Sequence, residues 1–178
     1  MTFPELVESL SRYETVLEPD QNTPEWWAGA PSVCRTKDGT FYLAARMREG
    51  NSPRGCRGYE IRLLKSGDGR VFTPVHRLKR EDAALPGFER PALVQDPASG
   101  LFRLYGCTNP GTGWCVFTLD DVADPAHFDV STRKTVLQAA PREEAWARRG
   151  ELVAAGRKVG GRVRAGSRGA PRGARARA

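Results

Sequence analysis

Gly29-Ala30-Pro31-Ser32-Val33-Cys34 decides the fold, because Glu89-Arg90-Pro91-Ala92-Leu93-Val94 repeats its pattern 60 residues later. The segments downstream of each run repeat as well. Asp38-Gly39-Thr40-Phe41-Tyr42-Leu43-Ala44 is matched by Ser99-Gly100-Leu101-Phe102-Arg103-Leu104-Tyr105, at an offset of 61. Gly58-Tyr59-Glu60-Ile61-Arg62 is matched by Gly113-Trp114-Cys115-Val116-Phe117, and Phe72-Thr73-Pro74 by Phe128-Asp129-Val130, at offsets of 55 and 56. Within the second run Phe41, Leu43, Ala45 and Met47 point one way while Tyr42, Arg46 and Arg48 point the other, the period of a strand. Four short alternating runs, separated by Gly- and Asp-rich turns, recur in one order with loops of variable length. Propeller blades repeat in this way, whereas two unrelated meanders of a sandwich or barrel predict no such order. The expected fold is all-β, with two four-stranded antiparallel propeller-type blades at 24–84 and 85–139. A lead-in (1–23) precedes them and a tail (140–178) comes after.

The turn Ser66-Gly67-Asp68-Gly69-Arg70 lies between the third and fourth runs. There the Asp68 carboxylate is expected to accept backbone N–H bonds across the hairpin, with Phe72 packed beneath.

The 178 residues carry a formal charge of +7, but it is not evenly spread. Residues 1–141 hold 17 Lys and Arg against 18 Asp and Glu, and residues 142–178 hold 11 against 3. Residues 142–178 contain 10 Arg, 9 Ala and 7 Gly, too little apolar surface to offset the entropy of ordering them, and are expected to be disordered beyond a short helix at 143–158. The tail reads as a basic arm, as a solvated linker, or as an out-of-frame stretch of a GC-rich gene. No aromatic residues interleave with its last arginines, which argues against nucleic acid as a partner. The absence of an apolar run of membrane-spanning length argues against a membrane, and four cysteines without a leader point to the cytoplasm. His76 and His127 stand apart, and Cys34, Cys56, Cys107 and Cys115 are separated by 22, 51 and 8 residues, which fits no zinc pattern. No metal or cofactor is implied.

The runs Trp26-Trp27-Ala28-Gly29-Ala30-Pro31-Ser32-Val33, Asp38 to Ala44, Phe88-Glu89-Arg90-Pro91-Ala92-Leu93-Val94 and Leu119 to Asp129 resemble the five-bladed β-propeller glycoside hydrolases of the arabinanase, levansucrase and invertase type. The resemblance covers about 115 residues, the first two blades, where a closed propeller of this repeat length needs on the order of 300. It implies an incomplete five-bladed propeller that acts on or binds carbohydrate, inactive in this form because no general acid is identifiable. A non-catalytic glycan-binding module is the alternative, and a small β protein with a nucleic-acid-binding tail is the other. Open sheet edges would favour self-association.

Glycosidic hydrolysis uses two carboxyl groups, and the resemblance places them on innermost strands facing a central funnel. Glu89, at the head of the second inner strand, is the first candidate, with Arg90 as its partner or as a ligand for a sugar hydroxyl. The first inner strand has Gly29-Ala30 where a carboxylate is expected, leaving Asp20 and Glu25 as candidates for the missing base. Trp26 and Trp27 offer flat faces for a sugar ring, one of them serving structure instead. Arg46 and Arg48, with Arg54 and Arg57, flank a long loop and stand as funnel-rim candidates against the plainer reading of a solvated strand face.

Overall fold

The structure is a computed structural model that describes residues 2–11 and 13–139. The expectations for the tail lie outside the described residues. A short helix α1 (Phe3–Leu10) opens the chain, capped by Thr2 and Glu5 in a reciprocal box, and buries none of its side chains. Beyond it lie two antiparallel four-stranded sheets. The first runs β1 (Trp27–Arg35), β2 (Phe41–Arg48), β3 (Gly58–Ser66), β4 (Thr73–Lys79), and the second β5 (Glu89–Gln95), β6 (Phe102–Thr108), β7 (Cys115–Thr118), β8 (Lys134–Gln138). Strand order equals chain order in both sheets, and neither closes on itself. This is the all-β, blade-like architecture that the repeat predicts.

The equivalence of Pro31 and Pro91 holds at the level of backbone geometry. Ala30 and Arg90, the residues before the two prolines, both take positive φ, 50° and 43°. Both inner strands slip register at this point, between Gly29 and Ser32 and between Glu89 and Ala92. A bulge of this kind bends a strand and re-aims the side chains on either side of it. The next hairpins also match, closed by Thr36 N–H to Thr40 O and Asp96 N–H to Leu101 O, both 2.9 Å, with Gly39 and Gly100 at positive φ. The Asp68 carboxylate accepts across the turn as expected, from the amides of Val71 (3.0 Å) and Arg70 (2.9 Å), which hold it down to about 2, while the ring nearest Gly69 is that of Phe41.

One strand is displaced from its expected place. Phe128 to Val130 does not form the fourth strand of the second sheet. Asp124 and Asp129 accept from the amides of Ala126 and Ser131 and start two 3-10 turns (Pro125–His127 and Val130–Thr132), so β8 begins only at Lys134. Phe128 is instead buried in the core, where its carbonyl oxygen lies 2.8 Å from His76 Nε2.

The sheets pack face to face. Tyr42, Ala44, Ile61 and Leu63 of the first meet Leu93, Phe102, Leu104 and Phe117 of the second, with Phe88 and Leu119 among them. Fully burying each large side chain of this set contributes about 1.5–3 kcal/mol. Two contacts fix how the sheets sit. The Leu93 amide donates to Ser32 Oγ at 2.9 Å, joining the inner strands one residue out of step with the 60-residue repeat. The Phe88 amide donates to the Gly58 carbonyl at 2.7 Å, so close that a Cβ on Gly58 would stand 1.9 Å from the Phe88 oxygen.

Gly58→Ala is therefore expected to destabilise the protein by about 3 kcal/mol in denaturant melts, because the clash is with backbone rather than a movable side chain. Gly67→Ala, at a site with nothing within 4 Å, is expected to stay within about 0.5 kcal/mol of the parent.

Candidate functional site

The sequence candidates collect where the inner strands begin. Glu89 is the first residue of β5 and comes directly after Phe88, whose backbone is held by Gly58; the preceding Gly87 carbonyl accepts from the buried Thr108 hydroxyl at 2.8 Å. Glu89 is thus anchored from β3 and from β6, on a short segment with little freedom. Its side chain forms an ion pair with Arg46 of β2. Arg46 stands opposite Gly29 in the β1–β2 register and is only 7% exposed. The alternating arginines of β2 are therefore not a solvated strand face. Burial, and then the charges of Arg48 and Arg90, hold the Arg46 guanidinium below its usual value.

Gly29 occupies the position matching Glu89. Its missing side chain makes room for an indole: a Cβ there would lie 2.9 Å from Trp27 Nε1. The guanidinium of Arg48 lies 5.0 Å from the Trp27 ring centroid, and Trp27 remains 48% exposed. Trp26 is half-buried against Tyr59, ring centroids 5.8 Å apart. Of the two neighbouring tryptophans, Trp26 packs on β3 and Trp27 presents itself at the inner-strand mouth.

Glu25 has positive φ (69°) and pairs with Arg57 at 2.8 Å. Together with Glu89, Arg48, Arg54, Gly55 and Arg57 it lines a cavity of about 350 Å³. Gly55 and Glu89 also line a second, larger cavity of about 770 Å³, whose walls include Arg90, Cys107, Trp114, Val116 and Leu137. The two hollows adjoin at Glu89. Trp114, 45% exposed, and Cys107, whose thiol burial pushes up, are not singled out by the sequence. The position of Trp114 after Gly113 in the repeat, matching Tyr59, was the available signal for the tryptophan.

Asp20 has other partners. Its two carboxylate oxygens accept from Arg62 Nη1 (2.9 Å) and Nη2 (2.8 Å), and one also accepts from the Tyr59 hydroxyl at 2.6 Å. Arg62, 4% exposed, in turn donates from Nε to the buried Glu60 at 2.5 Å. The fork of Arg62 pulls Asp20 down to about 2, and burial with the neighbouring Asp20 raises Tyr59 well above the usual phenol value. This network fastens the lead-in to β3. Sequence reasoning did not find it, since a charge alternating along a strand looks the same whether water or a partner meets it. Among the described residues no group of three or more His, Cys, Asp and Glu is placed to hold a metal ion, and no helix is long and apolar enough to cross a membrane.

The chain matches no protein-family model and no curated protein. The solved structures that resemble it include two β-xylosidases. One is CoXyl43, a GH43 β-xylosidase/α-arabinofuranosidase from a compost microbial metagenome in complex with xylotriose in calcium-free form, at 14% identity and a TM-score of 0.47 over 72% of this chain. The other is RS223-β-xylosidase, at 12% identity and a TM-score of 0.44 over 70% of this chain. The chain spans 39% of the length of each.

The Asp20 network yields a ranking in acid. Asp20 has its carboxyl lowered in the folded state, so its stabilisation is present above the unfolded value near 3.8 and is lost as pH falls towards 2. Asp20→Asn is expected to cost about 1 kcal/mol at pH 7, screened because the side chain is 40% exposed, and to flatten the loss of stability between pH 4 and 2. Arg62→Met, which removes the Nε donor from the buried Glu60 and the fork from Asp20, is expected to cost about 3–5 kcal/mol. Equal costs for the two variants in denaturant melts would show that the network is not organised around Arg62.

Proposed function

We propose that the joined hollows at Glu89 hold a saccharide, and that the chain is a glycoside-hydrolase-like blade pair that binds carbohydrate without completing its hydrolysis. The observation that carries this reading is the meeting of Glu25, Glu89 and a half-exposed Trp27 with Arg48 at the heads of the two inner strands. A ring stacked on an indole gains from burying its C–H face, and carboxylates and guanidinium groups at its rim are matched to hydroxyls as acceptors and donors. The sequence resemblance to five-bladed propeller hydrolases supports the same ligand class.

Binding is preferred to turnover on chemical grounds. Hydrolysis requires one carboxyl to deliver a proton to the leaving oxygen and a second to act as base or nucleophile. Here both cavity carboxylates sit in ion pairs, Glu89 with Arg46 and Glu25 with Arg57. That arrangement suits hydrogen-bond acceptors better than a proton donor, so Glu89 is assigned to hold and orient a sugar hydroxyl, as the base half of a hydrolytic pair would. Arg46 positions it.

A second reading concerns the free face of the second sheet. Val94, Val136 and Leu137 are 47%, 45% and 66% exposed there, and β8 leaves its outer edge unpaired among the described residues. Such an edge and face favour pairing between two copies of the chain. Sedimentation velocity is expected to show mass rising with concentration and Leu137→Lys to shift the protein towards monomer; a parent that stays monomeric throughout contradicts this.

The saccharide reading is checked by nuclear magnetic resonance titration with xylotriose and with acidic oligosaccharides. Shifts are expected to concentrate at the Trp27 indole N–H, the Glu89 amide and the Gly55 amide, with no cleavage of aryl glycosides. Perturbation confined to the far hairpins around Asp38 and Asp96, or no perturbation with any sugar, defeats it.

A further inference from the structure

The charges at the Glu89 hollows do not balance. Five guanidinium groups, those of Arg46, Arg48, Arg54, Arg57 and Arg90, face two carboxylates. Glu89 is taken by Arg46 and Glu25 by Arg57, the latter at 2.8 Å. Arg48, Arg54 and Arg90 form no salt bridge with a carboxylate among the described residues. The imbalance is felt inside the protein, since the charges of Arg48 and Arg90 add to burial in holding down Arg46. Two guanidinium nitrogens, Arg46 Nε and Arg48 Nε, are buried without any hydrogen-bond partner. Orphaned donors of this kind carry a desolvation cost that an acceptor would remove, and a like-charge cluster in a cavity is relieved by an anion.

We infer that the saccharide held at this site carries an anionic group, a uronic-acid carboxylate, received by Arg48, Arg54 and Arg90 while a ring of the sugar lies against Trp27. The inference rests on the carbohydrate reading and adds the charge class of the ligand. A carboxylate matches the planar fork of a guanidinium and forms charge-assisted hydrogen bonds about twice as strong as neutral ones. A neutral sugar would leave the surplus charge in place. The arginines also sit on different elements: Arg48 at the end of β2, Arg54 in the loop between β2 and β3, and Arg90 at the strained bulge of β5. The bulge that repeats at Ala30 thus serves in the second sheet to place a cation beside the hollow.

Isothermal titration calorimetry on the full chain distinguishes the outcomes, with a trigalacturonate, neutral xylotriose and inorganic sulfate as probes. The uronate is expected to bind about tenfold or more tightly than xylotriose, with the preference shrinking as salt is raised. Arg54→Gln, at an exposed loop position where folding is not at stake, and Arg48→Gln are each expected to remove most of that preference, lowering uronate affinity about fivefold or more beyond any loss of xylotriose affinity. Lys37→Gln, on the far hairpin turn, controls for net charge and is expected to change neither. Equal affinity for uronate and xylotriose overturns the inference and leaves the carbohydrate reading standing, as does an uronate preference unmoved by both arginine variants. Sulfate binding as tightly as the uronate overturns it in favour of a general anion site. Failure of both sugars to bind overturns the inference together with the carbohydrate reading.

Discussion

The contact between the Phe88 backbone and Gly58 is the constraint on which the rest depends. A hydrogen bond of 2.7 Å with no room for a single methyl group pins the start of the second sheet to the third strand of the first. The pinned segment continues directly into Glu89, so the pairing of that carboxylate with Arg46 results from packing rather than from electrostatic attraction alone. The ion pair in turn lets a guanidinium sit buried between the sheets, where a lone charge would be expensive. Sheet stacking, site placement and charge burial are one problem solved at one junction.

The repeat solves a second problem. Each inner strand bends at a residue of positive φ preceding a proline, and each bend turns the residue before it towards the mouth. In the first sheet that residue is Gly29, and the vacancy takes an indole; in the second it is Glu89, and the same position supplies a carboxylate. One backbone device, duplicated, makes room for an indole beside Arg48 on one side and supplies an acceptor on the other. The surplus of arginines around both gives the hollow its sign.

Much of the architecture was legible because its signals are local. Prolines at matched offsets, Asp-Gly turns and strict alternation each constrain backbone within a few residues, and the strand order came from them. The start of β8 was not legible. Asp124-Pro125 and Asp129 with Ser131 are helix-start signals that compete with the repeat, and two amide-to-carboxylate bonds decided the contest. The buried ions were hidden too. Arg46 and Arg62 alternate with apolar neighbours as exposed residues do, and only the long-range partners, Glu89 at one and Asp20 with Glu60 at the other, convert them into interior groups. The clustering of Glu25 and Glu89 was foreshadowed by their places ahead of the two inner strands, while the withdrawal of Asp20 into the Arg62 network depended on the course of the lead-in.

The central claim is that the two sheets are copies of one module seated on each other through their inner strands. Hydrogen exchange at the Leu93 amide tests it most directly, because that amide donates across the sheet boundary to Ser32 Oγ. Strong protection is predicted in the parent, with selective acceleration at Leu93 in Ser32→Ala and little change at Leu104 within the second sheet. A Leu93 amide that exchanges like unstructured chain, or one whose protection ignores the loss of the Ser32 hydroxyl, would contradict the account.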